Sequence, residues 1–153
     1  MDVTLYRQII GLLMYLTNTR PDICFAVNTL SQYLVNPGHI HLVGAKHVMR
    51  YLNETLDYGL RYASDGEIRL HGFIDLDWAG SVEYRKSTSG FCFSVGSCMI
   101  SWFNRKQSSI ELGMSRVEHI ASCSSCSEAV WIRNMLTRLF DVEIDVDYIL
   151  YNN

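Results

Sequence analysis

Two carboxylates separated by one residue are the first side chains in this sequence whose types and spacing suit chemistry. Asp75 and Asp77 end an apolar run whose alternation predicts a β-strand, and alternate residues of a strand lie on one face. Clustered carboxylates bind hard cations such as Mg²⁺, and pairs of such ions promote phosphodiester cleavage. Acids at a strand end are more often plain surface residues, so the metal hypothesis needs a third carboxylate. Glu118, early in a predicted helix, is the candidate, although the helix dipole also favours an acid there.

Two further groups of polar residues have the types, though not the full spacing, of functional sites. His119, Cys123 and Cys126 share one face of the same predicted helix. Tetrahedral zinc needs four ligands, and three on one straight helix cannot surround it, so we predict no structural zinc. The segment 85–90 (RKSTSG) has basic and hydroxyl side chains that could contact phosphates, and a solvated hairpin explains it equally well. It lacks the glycine pair of a P-loop.

The spacing of apolar residues changes once along the chain. Residues 1–57 have helical spacing, interrupted by turn signals at 18–21 and 36–38. Alternation then predicts strands at 58–62, 68–74, 91–95, 99–102 and 142–150, with a hairpin turn at 64–66, and helical spacing returns at 115–139. Helices followed by strands predict an α+β fold in two domains, a helical one at 1–57 and a sheet packed on one long helix at 58–153. We expect Trp78, Trp102 and Trp131 to be largely buried.

Composition and charge limit the classes of function. A chain with 48% hydrophobic and 19% charged residues is globular, not disordered. A net charge of −3 excludes nucleic-acid binding through overall charge, so any such binding needs a local basic surface. The apolar run at 9–16 is far shorter than the ~20 residues that span a bilayer, and no signal peptide is visible. The odd number of cysteines, five, predicts reduced thiols, and cytoplasm or nucleus is the default location.

Taken in order, these segments resemble the copia-type retrotransposon polyprotein over nearly the whole chain. The first part is similar to the helical end of that family's reverse transcriptase, and the remainder is similar to the beginning of its ribonuclease H domain. Each motif alone is unspecific, whereas the ordered set is very specific. The motifs are 6–7 (YR), 11–16 (GLLMYL), 19–23 (TRPDI), 25–27 (FAV), 45–46 (AK), 50–52 (RYL), 55–60 (TLDYGL), 75–80 (DLDWAG), 85–90 (RKSTSG), 100–102 (ISW), 106–107 (KQ), 118–121 (EHIA) and 128–133 (EAVWIR).

The resemblance implies a ribonuclease H-like mixed sheet with helices on its faces and a cluster of acids that holds two Mg²⁺ ions. Such ions would activate water to cut the RNA strand of an RNA–DNA hybrid. Asp75 would be the first metal ligand and Glu118 the second, with Asp77 as a neighbour. Contacts to nucleic acid are expected from basic and polar residues at two places, namely Arg85, Lys86 and Ser87, and Lys106 and Gln107.

The chain departs from the family pattern where the third acid is expected. Asn152 takes that position, and losing one unit charge about 4 Å from a cation forfeits roughly 4 kcal/mol per unit of ion charge at an effective dielectric near 20. Arg116 stands where the family usually has another acid, the sequence stops before the fourth acid, and the polymerase aspartates would precede Met1. We therefore expect a truncated, catalytically inactive fragment. Two alternatives stay open: weak surviving ribonuclease H activity, and a reused module that binds a protein partner at an open sheet edge.

Overall fold

The computed structural model describes residues 2–63, 69–77, 88–106, 114–141 and 146–152. The chain divides into two compact units, Met1–Leu60 and Arg61–Asn153, which we call the helical unit and the sheet unit. The helical unit contains α1 (Val3–Leu16), a 3-10 turn (Pro21–Ile23), α2 (Cys24–Ser31) and α3 (His39–Glu54). The sheet unit contains β1 (Leu70–Asp77), β2 (Thr88–Val95), β3 (Cys98–Lys106), α4 (Met114–Phe140) and β4 (Val146–Asn152).

Helix α1 supplies one side of the core of the helical unit. It begins after Asp2, whose carboxylate accepts hydrogen bonds from two backbone amides of the first turn at 2.9 and 3.1 Å. Tyr6, Ile10 and Leu13 recur at spacings of four and three, so they form one stripe, and all three are buried. Three leucines of α1 lie outside this stripe, since Leu5, Leu12 and Leu16 are 46%, 69% and 38% exposed.

Helices α2 and α3 complete this core. Helix α3 begins at a local cap in which the backbone amide of Gly38 donates to Nδ1 of His41 at 2.8 Å. The His41 ring also stacks on Tyr33, with ring centroids 3.8 Å apart. The partly buried Leu30 and Leu34 pack against the buried residues of this core, which are Tyr6, Ile10, Leu13, Ile23, Val27, Ala45 and Val48.

The sheet of the second unit has the strand order β3-β2-β1-β4. The pairs β3-β2 and β2-β1 are antiparallel, whereas β4 runs parallel to β1, so the sheet is mixed. Helix α4 lies between β3 and β4 in sequence, which provides the long connection that a parallel pair needs. The core between helix and sheet consists of Leu70, Phe93, Ala129, Ile132 and Leu136. The α+β prediction is confirmed at this level.

The β2–β3 hairpin follows its sequence signal closely. Val95 pairs with Cys98, which leaves a two-residue connection of Gly96 and Ser97 between the two predicted strands. Gly96 has a φ of 57°, a conformation that glycine adopts without the steric cost of a Cβ. Its backbone amide donates to the carbonyl oxygen of Arg69 at 3.1 Å, just before β1.

Two sequence predictions are wrong. The strand at 58–62 does not form, because the backbone amide of Tyr58 donates to the Thr55 carbonyl at 3.1 Å in a turn after α3. Trp131 is 58% exposed, because Ala129 and Ile132 carry the side of α4 that packs on the sheet. Trp102 is half-buried. The predicted hairpin turn at 64–66 and Trp78 lie outside the described residues.

The remaining global expectations concern membranes and thiols. Among the described residues, no helix combines the length and apolarity needed to cross a bilayer. All five cysteines are free thiols, and they range from the buried Cys98 to the exposed Cys123 and Cys126.

Candidate functional site

The carboxyl end of β1 carries the first predicted metal ligand. Asp75 is in register with Gly90 of β2 on one side and with Asn152 of β4 on the other. Neighbouring strands lie about 4.8 Å apart, so residues in register are direct neighbours across the sheet. The structure therefore brings together Asp75 and Asn152, the position at which the family resemblance implies a third acid.

Helix α4 carries the second predicted ligand toward the same end of the sheet. Leu70, at the start of β1, packs in one cluster with Ile132 in the C-terminal half of α4. Because β4 follows α4 and pairs with Leu70 at its own start, α4 runs against the direction of β1. Glu118 lies about 21 Å before Ile132 along the helix, and Asp75 lies about 16 Å beyond Leu70 along the strand. Both acids are thus displaced toward the carboxyl end of β1.

A predicted nucleic-acid contact also lies at this end of the sheet. Asp77 is in register with Thr88, and Thr88 is in register with Lys106, which forms a row across β1, β2 and β3. At the strand spacing of about 4.8 Å, Lys106 is roughly 10 Å from the acidic strand. Arg85, Lys86 and Ser87 precede Thr88 in sequence and Gln107 follows Lys106, and these four lie outside the described residues.

A second polar cluster, which the sequence did not predict, lies in the helical unit. Arg20 is only 8% exposed, and its Nε and Nη2 donate to the two carboxylate oxygens of Asp22 at 3.0 and 2.7 Å. Its Nη1 and Nη2 also donate to the backbone carbonyl and the hydroxyl of Thr55, at 3.0 and 2.7 Å. The rings of Tyr51 and Tyr58 lie 5.8 and 6.0 Å from the guanidinium carbon. We call these five residues the Arg20 cluster.

The charges of the Arg20 cluster stabilise one another. The hydrogen bond from Arg20 lowers the pKa of Asp22 below its ordinary value and outweighs partial burial, which acts in the opposite direction. The Tyr51 hydroxyl donates to Oδ2 of Asp22 at 2.9 Å and lowers that pKa further. Donating that hydrogen bond raises the pKa of Tyr51, because the carboxylate favours the protonated phenol. The aspartate is therefore held in its charged form.

The Arg20 cluster joins two of the segments on which the family resemblance rests, 19–23 and 55–60. A pocket of about 400 Å³ opens beside it, lined by Thr19, Arg20, Pro21, Asp22, Asp57, Tyr58 and Gly59. Because the guanidinium of Arg20 is bound to Asp22 and Thr55, these motifs tie the turn after α1 to the end of α3. The sequence places Arg20 close to Asp22, but it does not predict that Thr55, 35 residues away, also binds Arg20.

The three side chains weighed as zinc ligands share a face of α4, as predicted. Nδ1 of His119 and Sγ of Cys123 are 3.5 Å apart, and Cys126 is exposed further along the helix. Within the described ranges, no group of three histidine, cysteine or acidic side chains converges as a metal site. Side chains that the structure describes therefore form no closed zinc site.

Comparison with known proteins identifies the family. No family model and no solved structure matches the chain. It is 39% identical over 138 residues to the retrovirus-related Pol polyprotein from transposon RE2 of Arabidopsis thaliana, and 36% identical over 135 residues to that from transposon TNT 1-94 of Nicotiana tabacum. It is also 41% identical over 128 residues to the secreted RxLR effector protein 161 of Plasmopara viticola. The chain belongs to the copia-type retrotransposon Pol family.

The extent of these matches differs between the relatives. The two Pol polyproteins match 90% and 88% of this chain, yet the chain spans only about 10% of either one. The effector protein matches 83% of this chain, and the chain covers 90% of it. The copia-type segment thus occurs both inside long polyproteins and as most of a short protein.

Proposed function

We propose that the sheet unit is a ribonuclease H-like remnant that associates with RNA–DNA hybrids and does not cleave them. The observation that carries this proposal is the register of Asp75 with Asn152, a carboxylate position beside an amide. The carboxyl end of β1, toward which α4 directs Glu118, is then an acidic site with one charge missing. RNA–DNA hybrids and Mg²⁺ occur together in the cytoplasm and nucleus, where such a protein would act.

The chemistry of these residues fits Mg²⁺ incompletely. Asp75 and Glu118 offer the anionic oxygens that this ion prefers, whereas Asn152 offers a neutral one. When bound, Mg²⁺ supplies an activated water and stabilises the leaving oxygen in phosphodiester cleavage. Lys106, at the same end of the sheet, would bind a phosphate of the hybrid. The missing carboxylate weakens metal binding and leaves phosphate binding unaffected, so association survives the loss of cleavage.

The proposal is tested by restoring the charge. The unaltered chain should bind a labelled RNA–DNA hybrid without cleaving it. Asn152→Asp restores one of the missing charges, and adding Asp75→Asn should abolish any Mg²⁺-dependent cleavage that it confers. Asn153→Asp is the matched control, because it adds the same charge one residue away. Binding of Mn²⁺, followed by electron paramagnetic resonance, should strengthen about tenfold or more in Asn152→Asp alone.

Two results would contradict the proposal in different ways. Cleavage by the unaltered chain that disappears with Asp75→Asn would make this protein a working nuclease. Equal Mn²⁺ affinity in the Asn152→Asp and Asn153→Asp variants would mean that position 152 is not part of a metal site.

A second candidate function is that of a protein-interaction module without chemistry. It is favoured by the effector protein, a short relative of which this chain covers 90%. Fluorescence anisotropy with a hybrid at low and high salt separates the two functions. Salt-dependent binding that weakens in Lys106→Glu supports the remnant, and no binding at any salt concentration supports the module.

A further inference from the structure

The exposed face of α4 carries a histidine and two thiols that the proposed nuclease remnant does not use. His119, Cys123 and Cys126 are separated by four and then three residues, which places them one above another on the helix. All three are exposed, so none contributes to the core between helix and sheet. Nδ1 of His119 and Sγ of Cys123 are 3.5 Å apart.

This separation equals the distance between two ligands of one tetrahedral ion. Zinc binds imidazole nitrogen at about 2.0–2.1 Å and thiolate sulfur at about 2.3 Å, so two such donors at the tetrahedral angle are about 3.5 Å apart. Imidazole and thiolate are also the donor types that select borderline-soft cations over Mg²⁺. His119 and Cys123 thus already span one edge of a coordination tetrahedron without rearrangement of the helix.

We propose that His119 and Cys123 form a surface site for a borderline-soft divalent cation such as Zn²⁺ or Co²⁺. Water completes the shell, and Cys126, about 10 Å along the helix from His119, is too far to bind the same ion. Binding forms the metal–sulfur bond and releases the Cys123 thiol proton to the buffer. The site differs from a structural zinc site because α4 packs on the sheet through Ala129, Ile132 and Leu136, which are not among the ligands.

The test is titration of the reduced 153-residue chain with Co²⁺ under anaerobic conditions. Thiolate-to-cobalt charge transfer gives a near-ultraviolet band that carboxylate sites do not give, so a hard-cation site at Asp75 does not interfere. We expect one Co²⁺ per chain with this band, displaced by Zn²⁺. Cys123→Ser and His119→Gln should each weaken binding about tenfold or more, and Cys126→Ser should leave it unchanged.

Matched controls separate this site from the other thiols and from loss of fold. Cys24→Ser and Cys92→Ser, in α2 and β2, should leave the titration unchanged. Far-ultraviolet circular dichroism of each variant should match that of the unaltered chain. Absence of the charge-transfer band in the unaltered chain would overturn the proposal. A band retained in Cys123→Ser, or lost in Cys24→Ser or Cys92→Ser, would do the same.

Discussion

Replacing Arg20 by methionine tests whether the Arg20 cluster holds the helical unit together. The substitution removes four hydrogen bonds, two to Asp22 and two to Thr55. Methionine retains much of the aliphatic volume of arginine, so the loss reports mainly on the charged contacts. Since Thr55 follows α3 and Asp22 precedes α2, these contacts close a loop of the chain that includes both helices.

The expected decrease in the free energy of unfolding is about 3 kcal/mol. Removing one partner of a buried ion pair costs about 3–5 kcal/mol, because the other charge stays buried. The Asp22 side chain is 32% exposed, so water recovers part of that cost. The Thr55 carbonyl loses a donor, which adds about 1 kcal/mol. Arg20→Lys keeps the charge but not the fork of donors, and should recover about half of the loss.

Urea denaturation of the whole chain, followed by hydrogen exchange and by tryptophan fluorescence, shows which of the two units loses stability in Arg20→Met. Amides of α1 and α3 report on the helical unit, and tryptophan fluorescence reports on the sheet unit, because Trp78, Trp102 and Trp131 all follow residue 60. Arg50→Met, an exposed arginine of α3, is the matched control. The reasoning is refuted if Arg20→Met destabilises the chain no more than Arg50→Met does.

Two further predictions concern the helical unit. The pKa of Asp22 is lower in the folded than in the unfolded chain, so its contribution to stability is complete above about pH 4 and is lost as the pH falls through the folded value. Asp22→Asn should therefore be less stable near neutral pH and flatten the stability curve below about pH 4, and an unchanged curve would contradict this. His41→Ala should cost about 1 kcal/mol by removing the acceptor for the Gly38 amide, whereas His41→Gln should retain most of that stability. Thermal unfolding followed by circular dichroism at neutral pH measures the difference, and equal melting temperatures for the two variants would be evidence against a capping role.

The order of helices and strands was predictable because apolar spacing reports directly on which face of an element is buried. The strand prediction at 58–62 was wrong for a physical reason. Its alternating tyrosines imitate a strand, yet Tyr58 lies beside the Arg20 guanidinium and the Tyr62 hydroxyl donates to the Met99 carbonyl at 3.2 Å. Each tyrosine is fixed by a contact distant in sequence, which alternation cannot reveal.

The candidate site was predictable only in part. Carboxylates suited to a cation were evident as residue types, but the register that sets Asp75 beside Asn152 depends on a crossover through α4. Spacing alone cannot give such a register, and only the family resemblance pointed to Asn152. The partners of Arg20 were hidden for the same reason, since Thr55 lies 35 residues away. The predicted burial of Trp131 was wrong because size and apolarity do not determine the side of a helix on which a residue lies.

The two sets of family motifs in this chain are under different physical constraints. The Arg20 cluster joins distant segments of the helical unit whatever the protein binds, so similarity there says little about chemistry. At position 152, asparagine keeps the size and the strand pairing of aspartate, so folding provides no reason to retain the acid. The charge would instead be a cost without its cation, because like charges on neighbouring strands destabilise a sheet by up to about 1 kcal/mol.

This cost gives a prediction that does not depend on activity. Asn152→Asp should be less stable than the unaltered chain in EDTA by up to about 1 kcal/mol, since it sets a second carboxylate beside Asp75. Millimolar Mg²⁺ should reverse that loss, because an ion that binds only the folded state stabilises it by mass action. Urea denaturation with and without Mg²⁺ measures both effects, with Asn153→Asp as the control. If Asn152→Asp responds to Mg²⁺ no more than the control does, the register of β1 and β4 does not create a metal site.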